Sequence, residues 1–222
     1  MKKILLIAFT AIFAIGFTAC QSSETTQSSM NQNNSAMETN QNSVAEDLTS
    51  MKNRKGAMKE SSPDAANAPY DLQFLDTMTH HHQGAIDMAE TAVKKTQNQE
   101  LKAFAQKIIA DQTREIAQMK DWREKWYAGK PMAMNMEMPG MGDGMKMMMG
   151  EGMKKFEAAT GKEFDLMFLD MMTPHHAGAS VMAKEALTKA EHPEIKTLAN
   201  QIIKAQESEI KMMNDWKAKW SK

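Results

Sequence analysis

The sequence predicts an all-α protein, an antiparallel four-helix bundle made of two copies of one helical hairpin. Three observations predict it. A gapless internal repeat relates residues 70–128 to residues 164–222 at a constant offset of 94, with 28 identities in 59 positions. Within a copy, apolar residues recur with helical period, as Leu101, Ala105, Ile108, Met119, Trp122 and Trp126 do in the first. No segment alternates apolar and polar residues in the manner of a half-buried strand.

The elements follow in chain order. Lys2 and Lys3 precede an apolar run from Ile4 to Phe17, and Thr18-Ala19 lead into Cys20. The run is too short for a comfortable membrane span, so residues 1–19 are expected to be an export signal. Cys20 is the only cysteine, and its place behind that run resembles a bacterial lipobox, with Phe17 where Leu is usual. This makes Cys20 the expected site of lipidation (palmitate included) and the first residue of a membrane-tethered mature chain. The alternative is an ordinary secretory signal followed by a chance cysteine, but a free thiol is disfavoured in an oxidising compartment. Residues 20–66 are rich in Ser, Asn, Gln and Thr and are expected to form a disordered tether, with a short amphipathic helix over 44–59 as an option.

Hairpin repeat 1 is assigned to 67–129, a Met-rich linker to 130–153, and hairpin repeat 2 to 154–222. The expected helices are 71–95, 99–127, 165–190 and 193–220. Pro193 suits a first helical turn, where its missing N–H costs nothing. Pro174 is expected to kink or break the third helix, at the place where the first repeat has His80.

Charge and composition narrow the function. Without Lys2 and Lys3 the mature chain has 25 basic and 28 acidic side chains, a net charge near −3. No basic stripe remains, which excludes nucleic acid as the expected partner. The chain holds 24 Met but only 10 Leu, although Leu is normally among the commonest residues. Nine of the Met crowd the linker: Met132, Met134, Met136, Met138, Met141, Met145, Met147, Met148 and Met149. Gly and Pro make this segment a poor helix, so it is expected to be a flexible, exposed, thioether-rich loop that captures metal.

Five of the six His fall at matching places, His80, His81 and His82 in one copy and His175 and His176 in the other. At about 100° per residue, Met78, His81, His82 and Met88 share a face roughly 120° wide, with small Ala85 and Ala89 between them. If the hairpin turns near Asn98, Met119, Glu115 and Gln112 approach this face from the return helix, as Met213, Glu209 and Gln206 do in the second copy. A carboxylate or amide on an inward face needs a partner, and an imidazole N–H supplies one, fixing the tautomer of a metal-binding ring. The expected ligands are therefore Met78, His80, His81, His82, Met88 and Met119, with Met172, His175, His176, Met182 and Met213 as their counterparts. Gln112, Glu115, Gln206 and Glu209 orient them. Imidazole and thioether together select soft or borderline ions, copper and silver first, with Cu(I) favoured by sulfur. Met serves equally well as core filler, so Met78, Met88 and Met119 keep that reading beside the metal one. The Trp pairs are expected in packing, and Asp71, Asp76, Asp165 and Asp170 in capping or surface charge.

The segments FLDTMTHHHQGAIDMA and FLDMMTPHHAGASVMA resemble the signature of the domain of unknown function 305 family: a Met, a residue or two, Pro-His-His, small residues, then Met-Ala. The resemblance covers both repeats. It implies a ferritin-like helical fold, an exported location and, from some relatives, copper binding and tolerance. Carried over, it implicates Met78, His81, His82 and Met88, and equally Met172, His175, His176 and Met182. His80 departs from the family's Pro and adds a potential donor.

The function expected from all this is a non-enzymatic envelope protein that sequesters copper or hands it to a transfer partner, as a monomer or a homodimer. Two other classes stand beside it. A metal-dependent oxidoreductase would use the bundle for oxygen chemistry; di-iron sites need Glu-x-x-His, which occurs nowhere in the chain, leaving a copper oxidase. A structural or interaction lipoprotein would use Met and His only for packing.

Overall fold

The computed structural model describes residues 60–142 and 150–222. The export signal, Cys20, the option of a helix over 44–59, and Met145, Met147, Met148 and Met149 lie outside the described residues. Among the described residues there are five helices, one 3-10 turn and no strand: the turn Ala65–Asn67, then α1 (Tyr70–Lys95), α2 (Gln99–Tyr127), α3 (Glu151–Ala158), α4 (Gly161–Lys189) and α5 (Pro193–Trp220). None of these helices is long and apolar enough to cross a membrane.

Helices α1 and α2 pack together, as do α4 and α5, and α1 also packs on α4. Each hairpin connection is three residues long, 96–98 and 190–192. In the first, the Asn98 side chain accepts from the backbone N–H of Glu100 at 2.9 Å and of Leu101 at 3.3 Å, satisfying two orphan donors of α2. In the second the corresponding residue is His192, and the cap comes from another helix. Asp71 of α1 accepts from Glu191 N at 3.0 Å, His192 N at 2.9 Å and His192 Nδ1 at 2.6 Å. Its counterpart Asp165 accepts from Thr96 Oγ1 in the opposite connection at 2.6 Å. Each copy thus ties down the other's turn. Asp76 pairs with Arg123 at 2.7 Å, and the exposed Asp170 with Lys217.

The apolar side chains form two clusters. One joins Phe74, Met78, Ile116, Met119 and Met182 with Met138 and Met141 of the linker. The other joins Met88, Leu101, Phe104, Phe164, Phe168, Met172 and Met213 with Phe156 of α3. The Trp pairs stack near the ends of α2 and α5: Trp122 on Trp126 at 5.5 Å, and Trp216 on Trp220 at 5.2 Å. Trp126 also lies flat on His192 at 3.8 Å.

Four expectations are corrected. Helix α4 runs unbroken through Pro174. The lost N–H would have bonded the carbonyl of Asp170, a solvent-exposed position where water can take its place. The third helix also begins earlier than expected, at Gly161, and α3 begins inside what was taken as linker. The tether ends sooner: Ala65 is buried, and Ser62 N donates to Met134 O at 2.8 Å. The linker is not wholly exposed. Ala133, Met134, Met138 and Met141 are buried, Met136 is half-buried, and Met132 alone of its described methionines stands out.

The linker is fastened by specific bonds. Ala133 N donates to Asp76 at 2.8 Å and Asn135 N to Thr77 Oγ1 at 2.9 Å. At Gly140 (φ +89°) the chain crosses α4 against Gly178, where a Cβ on Gly178 would lie 2.2 Å from the Gly140 carbonyl oxygen. Only two glycines allow backbones this close.

Candidate metal centre

On α1 the imidazoles of His81 and His82 lie in sequence between Met78 of the first cluster and Met88 of the second. On α4, His175 and His176 lie between Met172 and Met182 in the same way. All four rings are fully buried. The packing of α1 on α4 brings His81 and His175 together, with ring centroids 3.7 Å apart and planes inclined by 36°. His82 and His176 flank them, 6.4 Å from His81 and 6.3 Å from His175 respectively.

The outer two rings are held by carboxylates from the return helices. His82 Nε2 lies 2.6 Å from Glu115 Oε2, and His176 Nε2 lies 2.8 Å from Glu209 Oε2. A carboxylate accepts, so each ring donates from Nε2 and presents its lone pair at Nδ1. Neither Nδ1 has a hydrogen-bond partner, and both nitrogens of His81 and of His175 are also unpartnered and buried. Six ring nitrogens therefore sit out of water with nothing to bond. A buried polar atom left unpaired costs about 1–3 kcal/mol, and native interiors rarely tolerate several together.

Burial pushes the proton affinity of His81 and His175 well below the ordinary imidazole range, and the neighbouring imidazoles reinforce the shift. Burial lowers His80 as well, against the opposing pull of Asp87. Rings kept neutral at ordinary pH keep lone pairs available to a metal ion. Burial alone would raise Glu209, but His176 and Lys107, the latter 2.7 Å away, hold it below the usual carboxylate range. Glu115 lacks such a lysine contact in its hydrogen bonding, and its side chain is 20% exposed against 9% for Glu209. The two halves are alike in plan and unequal in access.

A linkage prediction follows for the metal-free protein. His81 and His175 bind protons less readily when folded than when unfolded, so the unfolded chain takes up more protons below about pH 6.5. Their stabilising contribution is intact above that pH and is lost as pH falls toward the depressed folded values. Stability should drop by about 1.4 kcal/mol per pH unit for each ring. Thermal melts between pH 7.5 and 5.5 check this, and a flat profile contradicts it.

The expected ligands are partly assembled. Met78, Met119 and Met182 are buried in one cluster, and Met88, Met172 and Met213 in the other. His80 is only half-buried, though its Nε2 also lacks a partner. Glu115 and Glu209 hold imidazoles as expected, while Gln112 and Gln206 are buried with unpartnered Oε1 atoms. Among the described residues no three His, Cys, Asp or Glu side chains converge as a metal site. An ion held by these imidazoles would therefore draw its remaining ligands from thioethers. Neutral nitrogen and sulfur donors fit copper and silver and are a poor match for Ca²⁺ or Mg²⁺. Sequence reasoning missed the Gly140–Gly178 contact, whose one visible signal was that Gly178 repeats Gly84. It also missed His192, which nothing in the repeat marks.

Comparison with known proteins agrees with this picture. Residues 71–217 match the family described as domain of unknown function (DUF305). No curated protein sequence matches the chain. Among solved structures, CopM in its Cu(I)-bound and soaked Ag-bound forms is 37% identical, with TM-score 0.56, covering 68% of this chain and 96% of CopM. CopM in the Cu(II)-bound form is 41% identical, with TM-score 0.57, covering 68% and 97%. A protein from Streptomyces coelicolor, named as a secreted DUF305 protein, is 30% identical with TM-score 0.61, covering 69% of this chain and 93% of its own.

Proposed function

The chain belongs to the DUF305 family, and we propose that it is a copper-binding protein of the bacterial envelope that sequesters or passes on the ion through buried imidazole and thioether ligands. The observation that carries this reading is the set of six buried, unpartnered ring nitrogens on His81, His82, His175 and His176. A soft cation would satisfy them, and Glu115 and Glu209 would orient the outer rings for it. The solution of CopM with Cu(I), Cu(II) and Ag supports the choice of metal.

In this reading the two repeats are tandem copies of one hairpin, packed antiparallel so that their His pairs meet. The protein is exported and held at a membrane through a lipid on Cys20. Cu(I) is the preferred oxidation state, since thioether is a soft donor. The activity is binding and transfer, without turnover, and the lack of any Glu-x-x-His motif supports that choice over di-iron oxygen chemistry.

The test is an anaerobic titration of the full-length protein with Cu(I) against a chromophoric competitor. Affinity well below micromolar is expected. Binding weaker than micromolar would overturn the reading.

A further inference from the structure

The two ends of the His array are built alike by the repeat, yet they are closed differently. On α1, Met78 lies one turn before His81 and His82. On α2, Met119 lies one turn after Glu115, whose carboxylate holds His82. On α4, Met182 lies one turn after Gly178, where a Cβ would be 3.5 Å from His81 Nε2. These three methionines are fully buried in one cluster. The linker joins them there. Met138 N donates to Asn135 O at 3.2 Å and Met141 N to Met138 O at 3.0 Å. These successive turns put Met138 and Met141 three residues apart, on one side of the segment. Gly140, locked against Gly178, seats that side on the bundle, so Met138 and Met141 are buried in the same cluster as Met78, Met119 and Met182.

The opposite end has the matching Met88, Met172 and Met213, but α3 closes it with the ring of Phe156. Thr173 Oγ1 also lies 3.8 Å from the Met213 sulfur, occupying a lone pair. Five thioethers gather at one end and three of the corresponding kind at the other.

We propose that Met138 and Met141 complete, with Met78, Met119 and Met182, a thioether-only site for a monovalent soft cation, Cu(I) or Ag(I), separate from the imidazole site and present at one end only. The inference rests on the copper reading and deepens it. Thioether sulfur is neutral and binds soft cations. The cost of burying an ion without counter-charge rises with the square of its charge, so such a site discriminates against divalent ions. Imidazoles accept both oxidation states, so the two sites differ in what they hold.

Silver, monovalent and redox-inert, is the probe. Calorimetric titration of the full-length metal-free protein with Ag(I) should show a tight class that the Met138→Leu/Met141→Leu variant loses or binds at least tenfold more weakly. Its Cu(II) binding should be unchanged. Leucine keeps the apolar volume, so the melting temperature of the metal-free variant should stay close to that of the parent. The matching Met172→Leu/Met213→Leu variant should retain the tight class. Independently of any variant, X-ray absorption at one equivalent of Ag(I) should show a sulfur-only shell. Unchanged Ag(I) binding in the linker variant, or nitrogen in that first shell, overturns the inference while the imidazole reading stands. Failure of the parent protein to bind either metal overturns both.

Discussion

Replacing His81 and His175 together with leucine should abolish tight copper binding and leave the metal-free protein as stable as before, or more so. These two rings approach to 3.7 Å and carry four of the unpartnered nitrogens. Removing them takes away the shared centre of the array and leaves only the outer pair. Affinity for Cu(I) should fall by at least about a hundredfold, since each lost imidazole is a lost ligand that buried hydrocarbon cannot replace. Stability should move the other way. Leucine fills a similar volume with no polar atom, which relieves unpaired donors and acceptors that cost about 1–3 kcal/mol each. A net gain of about 1–2 kcal/mol would raise the melting temperature by several degrees in a chain of this size. The same variant should flatten the fall in stability below about pH 6.5. A strong loss of stability with copper binding intact would mean that the imidazoles are structural.

Gly178→Ala should produce the second large effect. The new methyl would sit 2.2 Å from the Gly140 carbonyl oxygen, and backbone on both sides leaves little room to yield. Overpacking of this kind costs about 1–3 kcal/mol, and here relief requires lifting the linker. The melting temperature should fall by several degrees while helical circular dichroism hardly changes, because α1, α2, α4 and α5 are joined by other contacts. Limited proteolysis should cut the variant within 130–142 at least tenfold faster than the parent. Equal cleavage rates would show that the glycine contact does not hold the linker down.

Much of the hairpin was legible because it is local. Asn98 marks its own turn, and counting back from it places Glu115 opposite His82, where the 2.6 Å contact is found. The stripe through Leu101, Ile108 and Met119 is buried as its period requires. The contact of His81 with His175 was not legible, because it depends on how α1 meets α4, and no local periodicity records that. Burial of Met138 and Met141 escaped for a related reason. A Gly- and Pro-containing segment has no period of its own, and whether it lies in water or on a core is decided by the surface it meets. Pro174 misled in the opposite direction: its local penalty is real, but its position over an exposed carbonyl lets the helix continue. The cap on α5 was hidden because its donor partner, Asp71, lies 120 residues from Glu191.

These misses share a cause. Each involves a contact between the two hairpins or between a hairpin and the linker, and those contacts are the ones that gather the ligands. The duplicated sequence supplies equivalent rings and sulfurs, and the unequal surroundings of Glu115 and Glu209 make the halves chemically distinct.

A crystal structure of the Cu(I)-loaded protein, with anomalous scattering recorded at the copper edge, tests the central claim most directly. The account predicts an anomalous peak bonded to ring nitrogen of His81 or His175, with a methionine sulfur completing the coordination. Copper found only elsewhere, with all four buried imidazoles unliganded, would contradict it.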